Sequence, residues 1–347
     1  MKISGSIIKN NKQPFIIAEI SGNHMGSLSR ALKLIKCAKE SGASAIKLQT
    51  FDLDEMTINS KRREFFVNDQ YSEWNKRSLY SLYKESRTPI EWHKQIFNFC
   101  KKIGIICFSS VFDEKSLEVL KKLKTPAFKI SSFEITHLPL IEKVAKTNKP
   151  TIISTGMASL EEIKDVIKIF IKAKNKNYAF LKCTSTYPAD PIDSNLNVIK
   201  HFKSKLKCEI GLSDHTIGIG ASVASIALGA SIIEKHITLK KNDGSIDGHF
   251  SLTPNEFKGL VKECNVAWKA LGHSKIKISK KEKKSMIFRR SIYVIKNVKK
   301  GEVVSIKNIK VIRPSLGLKP RFFFKILGKK FTKDFNSGIP LLNKMIK

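Results

Sequence analysis

The sequence predicts an α/β fold: a (β/α)8 TIM barrel followed by a small β-rich domain. Eight apolar, strand-like runs alternate with amphipathic helical patterns over about 270 residues, close to the size of one such barrel. Ionisable and hydroxyl side chains stand at the C-terminal ends of those runs, where barrels carry their active sites. Beyond the eighth unit come a charged segment and a second, shorter set of β-like runs.

The first run, "FIIAEI" (15–20), closes on Glu19. "SRALKLIKCAKESG" (29–42) follows it, with apolar residues three and four apart and a glycine as stop signal. The second run, "AIKLQT" (45–50), carries Lys47 and leads into an insertion, 51–88, that breaks the repeat. The insertion contains "EFFVNDQYSEWNKRSLYSLYKES"; such an aromatic-rich excursion on the catalytic face reads as a lid or substrate wall, or else as a packed excursion. "IICFSS" (105–110), "AFKISS" (127–132) and "TIISTG" (151–156) bring Ser110, Lys129 with Ser132, and Ser154. The helical pattern recurs in "LEEIKDVIKIFIKAK" (160–174) and "NEFKGLVKECNVAWKALG" (255–272). Between these lie "AFLKCTS" (179–185), ending on Thr184 and Ser185, "EIGLSD" (209–214), ending on Asp214 before His215, and "SIIEKHI" (231–237) with His236. A doubly wound open sheet is the competing architecture. The count of eight and the lack of a Gly-rich dinucleotide fingerprint after the first run favour the barrel.

The expected domains are the barrel over 1–272, a charged linker over 273–284 containing "KIKISKKEKK", and a β-rich domain over 285–347. In the last, "RRSIYVIKNVKKGEVVSIKNIKVIRPSLGLKP" (289–320) has two short β-like runs around a Lys-Gly turn. Sixty-four Lys and Arg against 30 Asp and Glu give a formal net charge of +34. The lysines are scattered along solvated helical faces, so the charge fits attraction of a small anionic substrate, or a compositional bias, better than nucleic acid. The six cysteines show no CxxC spacing and read as free thiols. No secretory signal is expected at the N-terminus. The apolar stretch 217–233 is shorter than the roughly 20 residues of a membrane span, so no membrane segment and a cytoplasmic protein are expected.

His215 and His236 end neighbouring strands and can face a shared ligand. Two imidazoles are a weak metal signal by themselves; a cation held by two protein ligands would keep positions open for Lewis-acid work. Asp214 orients the His215 ring or caps the next helix. Lys47 and Lys129 enter the barrel mouth from apolar strands, where an ammonium needs a partner: internal carboxylates such as Glu19 and Glu134, or a bound anion. Serines at several strand ends add donors for phosphate oxygens. A Schiff-base lysine is the rival reading.

"AEISGNHMGS" (18–27), "KLQT" (47–50), "FKISSFEI" (128–135), "STGMASLEEI" (154–163), "LKCTSTYPA" (181–189), "GLSDHTIGI" (211–219), "ALGASIIEKH" (227–236) and "RPSLGL" (313–318) together resemble the sialic acid synthase family, in order and over nearly the whole chain. Within it, "RSLYSLYKESRTPIEWH" (77–93), "FKISSFEI" and "LKCTSTYPA" look most like the pseudaminic acid synthases; the sialic and legionaminic members usually have glycine where Phe133 stands. The resemblance implies an enzyme, a transferase, that condenses phosphoenolpyruvate with 2,4-diacetamido-2,4,6-trideoxy-L-altrose in an aldol-type, metal-dependent reaction with C–O cleavage. The products are pseudaminic acid and phosphate. It also implies a homodimer in which each antifreeze-like (SAF) C-terminal domain reaches over the partner's barrel. His215 and His236 match metal ligands, for Mn²⁺ or Mg²⁺. Lys47, Lys129, Ser132, Ser154, Ser185 and Ser213 match positions around phosphoenolpyruvate. Glu19 matches a carboxylate near the reacting centre, Glu134 and Asp247 lie where the sugar is bound, and Arg313 matches the arginine from the other subunit. The chain departs from the family's usual pattern at Met25, Val111, Gly248 and His249. His249 reads as a third ligand, a sugar contact or a solvated loop residue. An N-acetylneuraminate or legionaminic acid synthase using a mannose-type amino sugar is the alternative, and a non-enzymatic basic binding protein is a further one.

Overall fold

The computed structural model of the chain describes residues 1–70 and 74–347; within the aromatic-rich insertion, 71–73 lie outside the described residues. Eight parallel strands close into a barrel. They are β1 (Phe15–Glu19), β2 (Ala45–Thr50), β3 (Ile106–Val111), β4 (Phe128–Ile130), β5 (Thr151–Ser154), β6 (Tyr178–Cys183), β7 (Glu209–Asp214) and β8 (Ile232–His236). Each pairs with the next, and β8 returns to β1 with His236 opposite Glu19. The strand-like runs overreach by two residues at three strands, β4, β5 and β6, the last of which stops at Cys183. β4 stops at Ile130, before a turn in which the Glu134 N–H donates to the Ser131 carbonyl, and β5 stops at Ser154, before Gly156 with φ +50°.

The return helices are α1 (Leu28–Glu40), α2 (His93–Ile103), α3 (Glu114–Lys122), α4 (Leu138–Lys146), α5 (Leu160–Lys172), α6 (Val198–Lys205), α7 (Gly220–Ala227) and α8 (Pro254–Ala270). Their starts are written locally. Ser27 accepts from the Arg30 N–H, and Ser159 with Glu162 and Thr253 with Glu256 form reciprocal capping boxes. The insertion after β2 contributes two short helices, Leu53–Met56 and Leu79–Ser86.

Side chains alternate across each strand, and the alternation places the site. Outward residues such as Ile16, Ala18, Ile46, Leu48, Leu212 and Ile233 pack with the helices into one large core. Inward residues split by height. Ile17, Ala45, Phe108, Ile152, Leu181 and Ile232 fill the lower barrel and are sealed by Ile3 and Ile8 of the N-terminal hairpin. One inward step higher on the same strands stand Glu19, Lys47, Ser110, Ser154, Cys183 and Glu234, all buried. A second polar floor thus sits directly on an apolar one.

The chain divides into two compact units, Met1–Gly272 and His273–Lys347. The second has its own core of Ile292, Val294, Val304, Ile309, Phe331 and Leu341 and an antiparallel pair, β9 (Ser291–Val294) and β10 (Ile309–Ile312). The charged stretch read as a linker contains a short helix, Lys280–Ser285, begun by a Ser279–Glu282 capping box. All six cysteines are free thiols. Among the described residues, no helix is long and apolar enough to cross a membrane.

Candidate active site

At the top of the barrel, four strands deliver a buried charge cluster. Lys47 of β2 is ion-paired to Glu19 of β1 and lies 3.4 Å from Oε1 of Glu234 on β8. Its Nζ also donates to Ser110 Oγ at 3.1 Å. Lys129 of β4 lies 3.9 Å from the same Glu234 oxygen and donates to Ser154 Oγ at 2.7 Å. Ser213 of β7 donates to Glu234 Oε1 at 3.2 Å. Two ammonium groups and two carboxylates therefore balance one another inside the wall, as the cost of burying an unpaired ion requires. Glu234 Oε2 remains buried without a hydrogen-bond partner.

Burial and neighbours tune these groups in opposite directions. Burial lifts Glu19 to about 7 against the pull of Lys47. Burial works against the charge on Lys47, but Glu19 and Glu234 outweigh it and hold the ammonium above its ordinary range. Lys129 is lowered, chiefly by burial. For Glu234 burial is outweighed by Lys129 and Lys47, so its carboxyl stays below the usual range.

Next to this cluster the two histidines stand side by side, ring centroids 5.4 Å apart. His215 Nδ1–H donates to the Thr184 carbonyl at 2.8 Å, which leaves the lone pair on Nε2. His236 Nδ1 is buried without a hydrogen-bond partner and lies 3.6 Å from Asp247 Oδ2. Burial and the neighbouring His215 lower His236 well below the ordinary imidazole value, so its ring is neutral. Phe250 packs edge-on against His236 at 4.9 Å, and Tyr187 tilts over His215 at 4.4 Å. The donor set fits a divalent cation that takes two imidazoles and leaves its remaining positions to substrate. Among the described residues no set of three or more His, Cys, Asp or Glu is arranged to hold a metal.

Asp247 joins the two halves of the site. It accepts from Ser21 Oγ, and the Ser21 N–H donates to Glu19 Oε1 at 2.6 Å. On the opposite side of the mouth, Ser185 donates to Ser132 at 2.7 Å, and Gly156 lies against both. A Cβ on Gly156 would stand 2.5 Å from Ser132 Cβ and 2.7 Å from Ser185 Oγ.

Most of the residues singled out from sequence thus converge. Glu19, Lys47, Lys129, Ser154 and Ser213 form the charge cluster, Ser132 and Ser185 a hydroxyl pair, and His215, His236 and Asp247 the imidazole pocket. Two expectations are corrected. Glu134 makes no ion pair with either lysine: its Oε2 is buried without a hydrogen-bond partner, and burial raises it to about 7. Asp214 does not orient the His215 ring; it points to the outer face of the wall and pairs with Lys235 at 3.0 Å. Arg313 lies exposed just beyond β10, in the second unit. Of the departures, Val111 is fully buried at the end of β3, and Met25 adopts φ +49° after the first strand. Glu234 was the residue missed. Its signal was the alternation Ile232, Glu234, His236, which puts it on the inward face with the histidine.

A family model described as the NeuB family matches residues 34–276, and a SAF-domain model matches 289–347. A pseudaminic acid synthase of Campylobacter jejuni is 47% identical over 94% of this chain and 95% of its own length. An N,N'-diacetyllegionaminic acid synthase of the same species is 38% identical over 93% of this chain and 97% of its own. Among solved structures, an N-acetylneuraminic acid synthetase of Leptospira borgpetersenii superposes with a TM-score of 0.74 at 32% identity, covering 82% of this chain and 94% of that one. With the barrel, the small antiparallel domain and these matches in hand, the chain belongs to the NeuB family and is a transferase-type synthase.

Proposed function

We propose that the protein condenses phosphoenolpyruvate with 2,4-diacetamido-2,4,6-trideoxy-L-altrose, giving pseudaminic acid and phosphate. The observation that carries this reading is the 47% identity, over 94% of the chain, to a pseudaminic acid synthase, against 38% to a legionaminic acid synthase. The charge cluster supports the first substrate: Lys47 and Lys129, with Ser154 and Ser213 beside them, are donors suited to carboxylate and phosphate oxygens.

In this reading the methylene carbon of phosphoenolpyruvate forms a C–C bond to the sugar's aldehyde carbon. Water adds at the resulting cationic enol carbon, and the tetrahedral adduct loses phosphate by C–O cleavage. Lys47 and Lys129 hold the anionic groups throughout, in a buried setting where fixed charges act strongly. Asp247, anchored by Ser21, and Glu134 face the sugar. Glu134 is placed to take the proton of the attacking water, with its unpartnered buried oxygen and a value of about 7. When bound by His215 and His236, a divalent cation such as Mn²⁺ or Mg²⁺ supplies Lewis acidity at the sugar's carbonyl oxygen. His236→Ala is expected to leave the fold intact and remove metal-stimulated turnover. Full activity of that variant, at metal levels limiting for wild type, would remove the metal assignment.

We also place the protein in a homodimer whose Arg313 serves the partner's site. Phe133, Met157, Ile192 and Ile217, in the loops after β4 to β7, expose apolar side chains around the barrel mouth, which supports a covering partner. The substrate test is phosphate release from phosphoenolpyruvate, with Mn²⁺, against the altrose sugar, its 6-deoxymannose counterpart and N-acetylmannosamine. Turnover with the altrose sugar alone is the expected result. Preference for a mannose-type sugar would keep the family and overturn the substrate.

A further inference from the structure

Behind the two histidines, on the outer face of the wall, lies a charged pair that no substrate reaches. Lys235 precedes His236, Asp214 precedes His215, and the two are register partners across β7 and β8. Strand alternation turns both away from the mouth into the layer shared with α7, whose apolar residues include Leu212, Ile233 and Ile237. The Lys235 side chain is 0% exposed and that of Asp214 1%. The ammonium lies 3.0 Å from Asp214 Oδ2 and donates to the carbonyl of Thr216, the residue after His215. Asp214 Oδ1 accepts from the Thr216 N–H at 2.9 Å and from its hydroxyl at 2.8 Å. Its Oδ2 accepts from Ser222 Oγ of α7 at 2.5 Å. The residues on both sides of His215 are therefore tied to the residue before His236.

Stability alone is a poor account of this arrangement. A buried ion pair is often no better than apolar side chains of the same volume, and apart from the hydroxyls of Thr216 and Ser222 that bond Asp214, this pair sits beside the apolar Leu212, Ile233 and Ile237. What the pair adds is directional: Lys235 fixes one strand end to the other through two separate contacts, one to the Asp214 carboxylate and one to the Thr216 backbone carbonyl. We propose that Asp214 and Lys235 are positioning residues that lock the ends of β7 and β8 together and so set the spacing of His215 and His236 for a divalent cation. The inference rests on the metal reading of those histidines.

The test uses the full chain with Asp214→Asn and Lys235→Met together, which removes both charges without leaving one unpaired. Mn²⁺ affinity of the substrate-free protein is read from the electron paramagnetic resonance signal of free Mn²⁺, beside the unfolding midpoint and KM for phosphoenolpyruvate. The expected result is a Mn²⁺ affinity weakened about 10- to 100-fold, turnover recovered by excess Mn²⁺, and an unmoved KM. A folded double variant whose Mn²⁺ affinity stays within about twofold of wild type overturns the proposal. If the double variant does not fold, Ser222→Ala and Thr216→Val each remove one bond from Asp214, and unchanged affinity in both overturns it equally. His236→Ala separates the two readings. If wild type binds Mn²⁺ no better than that variant, the metal reading fails, and the latch is then judged from the ring ¹⁵N signals of His215 and His236. Those signals shift or multiply in the double variant if the latch holds; unchanged signals overturn it.

Discussion

Glu234 is the residue on which the electrostatics of the site turn, because one carboxylate oxygen lies within 4 Å of both Lys47 and Lys129. Removing one member of a buried charge group costs more than the group itself contributes. Glu234→Gln is expected to lower the unfolding free energy by about 3 kcal/mol. Phosphoenolpyruvate or inorganic phosphate should then raise the variant's melting midpoint more than wild type's, since the lysines are left with an unmet need for an anion. Equal shifts in a thermal melt would refute this. Glu19 gives a pH signature. Its folded value is about 7 against 4.5 for the unfolded chain, so between those limits the folded state holds the proton that the unfolded state has lost. Stability therefore falls as pH rises from 4.5 towards 7. Relative to Glu19→Gln, the substrate-free wild type should lose about 3 kcal/mol across that window in chemical denaturation. The lysines and Glu19 were legible from sequence because an ionisable residue in an apolar run needs a reason. Glu234 was equally inward by alternation, but its convergence on two lysines belongs to three strands at once.

At the scale of elements, strand alternation does most of the work: the same β2 that supplies Ala45 to the apolar floor supplies Lys47 one step higher. Gly211 shows how tightly the floor is filled. A Cβ there would lie 2.4 Å from the Ile232 carbonyl oxygen and 2.6 Å from Leu181 Cδ2. Backbone cannot step aside as a flexible side chain can. Gly211→Ala should therefore destabilise by about 1–3 kcal/mol, read as a lower denaturant midpoint with an unchanged slope. A neutral substitution would mean the floor is looser than this packing. The eight strands and the helix starts were readable from periodicity and caps. The ends of β4, β5 and β6 were not, because the small polar residues that follow them, Ser131, Thr155 and Thr184, suit a strand as well as the turn the fold makes there.

At the scale of the molecule, each unit has its own core, while the proposed chemistry draws on both, since Arg313 belongs to the second. If Arg313 serves the partner's barrel, Arg313→Ala and His236→Ala homodimers are each inactive, yet subunit exchange between them restores one complete site per mixed dimer. Equal mixing should return about a quarter of wild-type activity, measured as phosphate release after exchange. No recovery, with exchange shown to occur, would place Arg313 in its own subunit's site or outside the chemistry.

By itself the sequence determined the barrel, the polar residues at its strand ends and the family pattern, because periodicity, capping and inward placement are local properties that neighbouring residues encode. Only the tertiary structure decided the partners. It gave both lysines to Glu234, left Glu134 without one of them, and sent Asp214 to Lys235 on the far side of the wall. The physical reason is that a buried charge takes whichever counter-charge barrel closure brings within about 4 Å, and closure joins strands far apart in the chain.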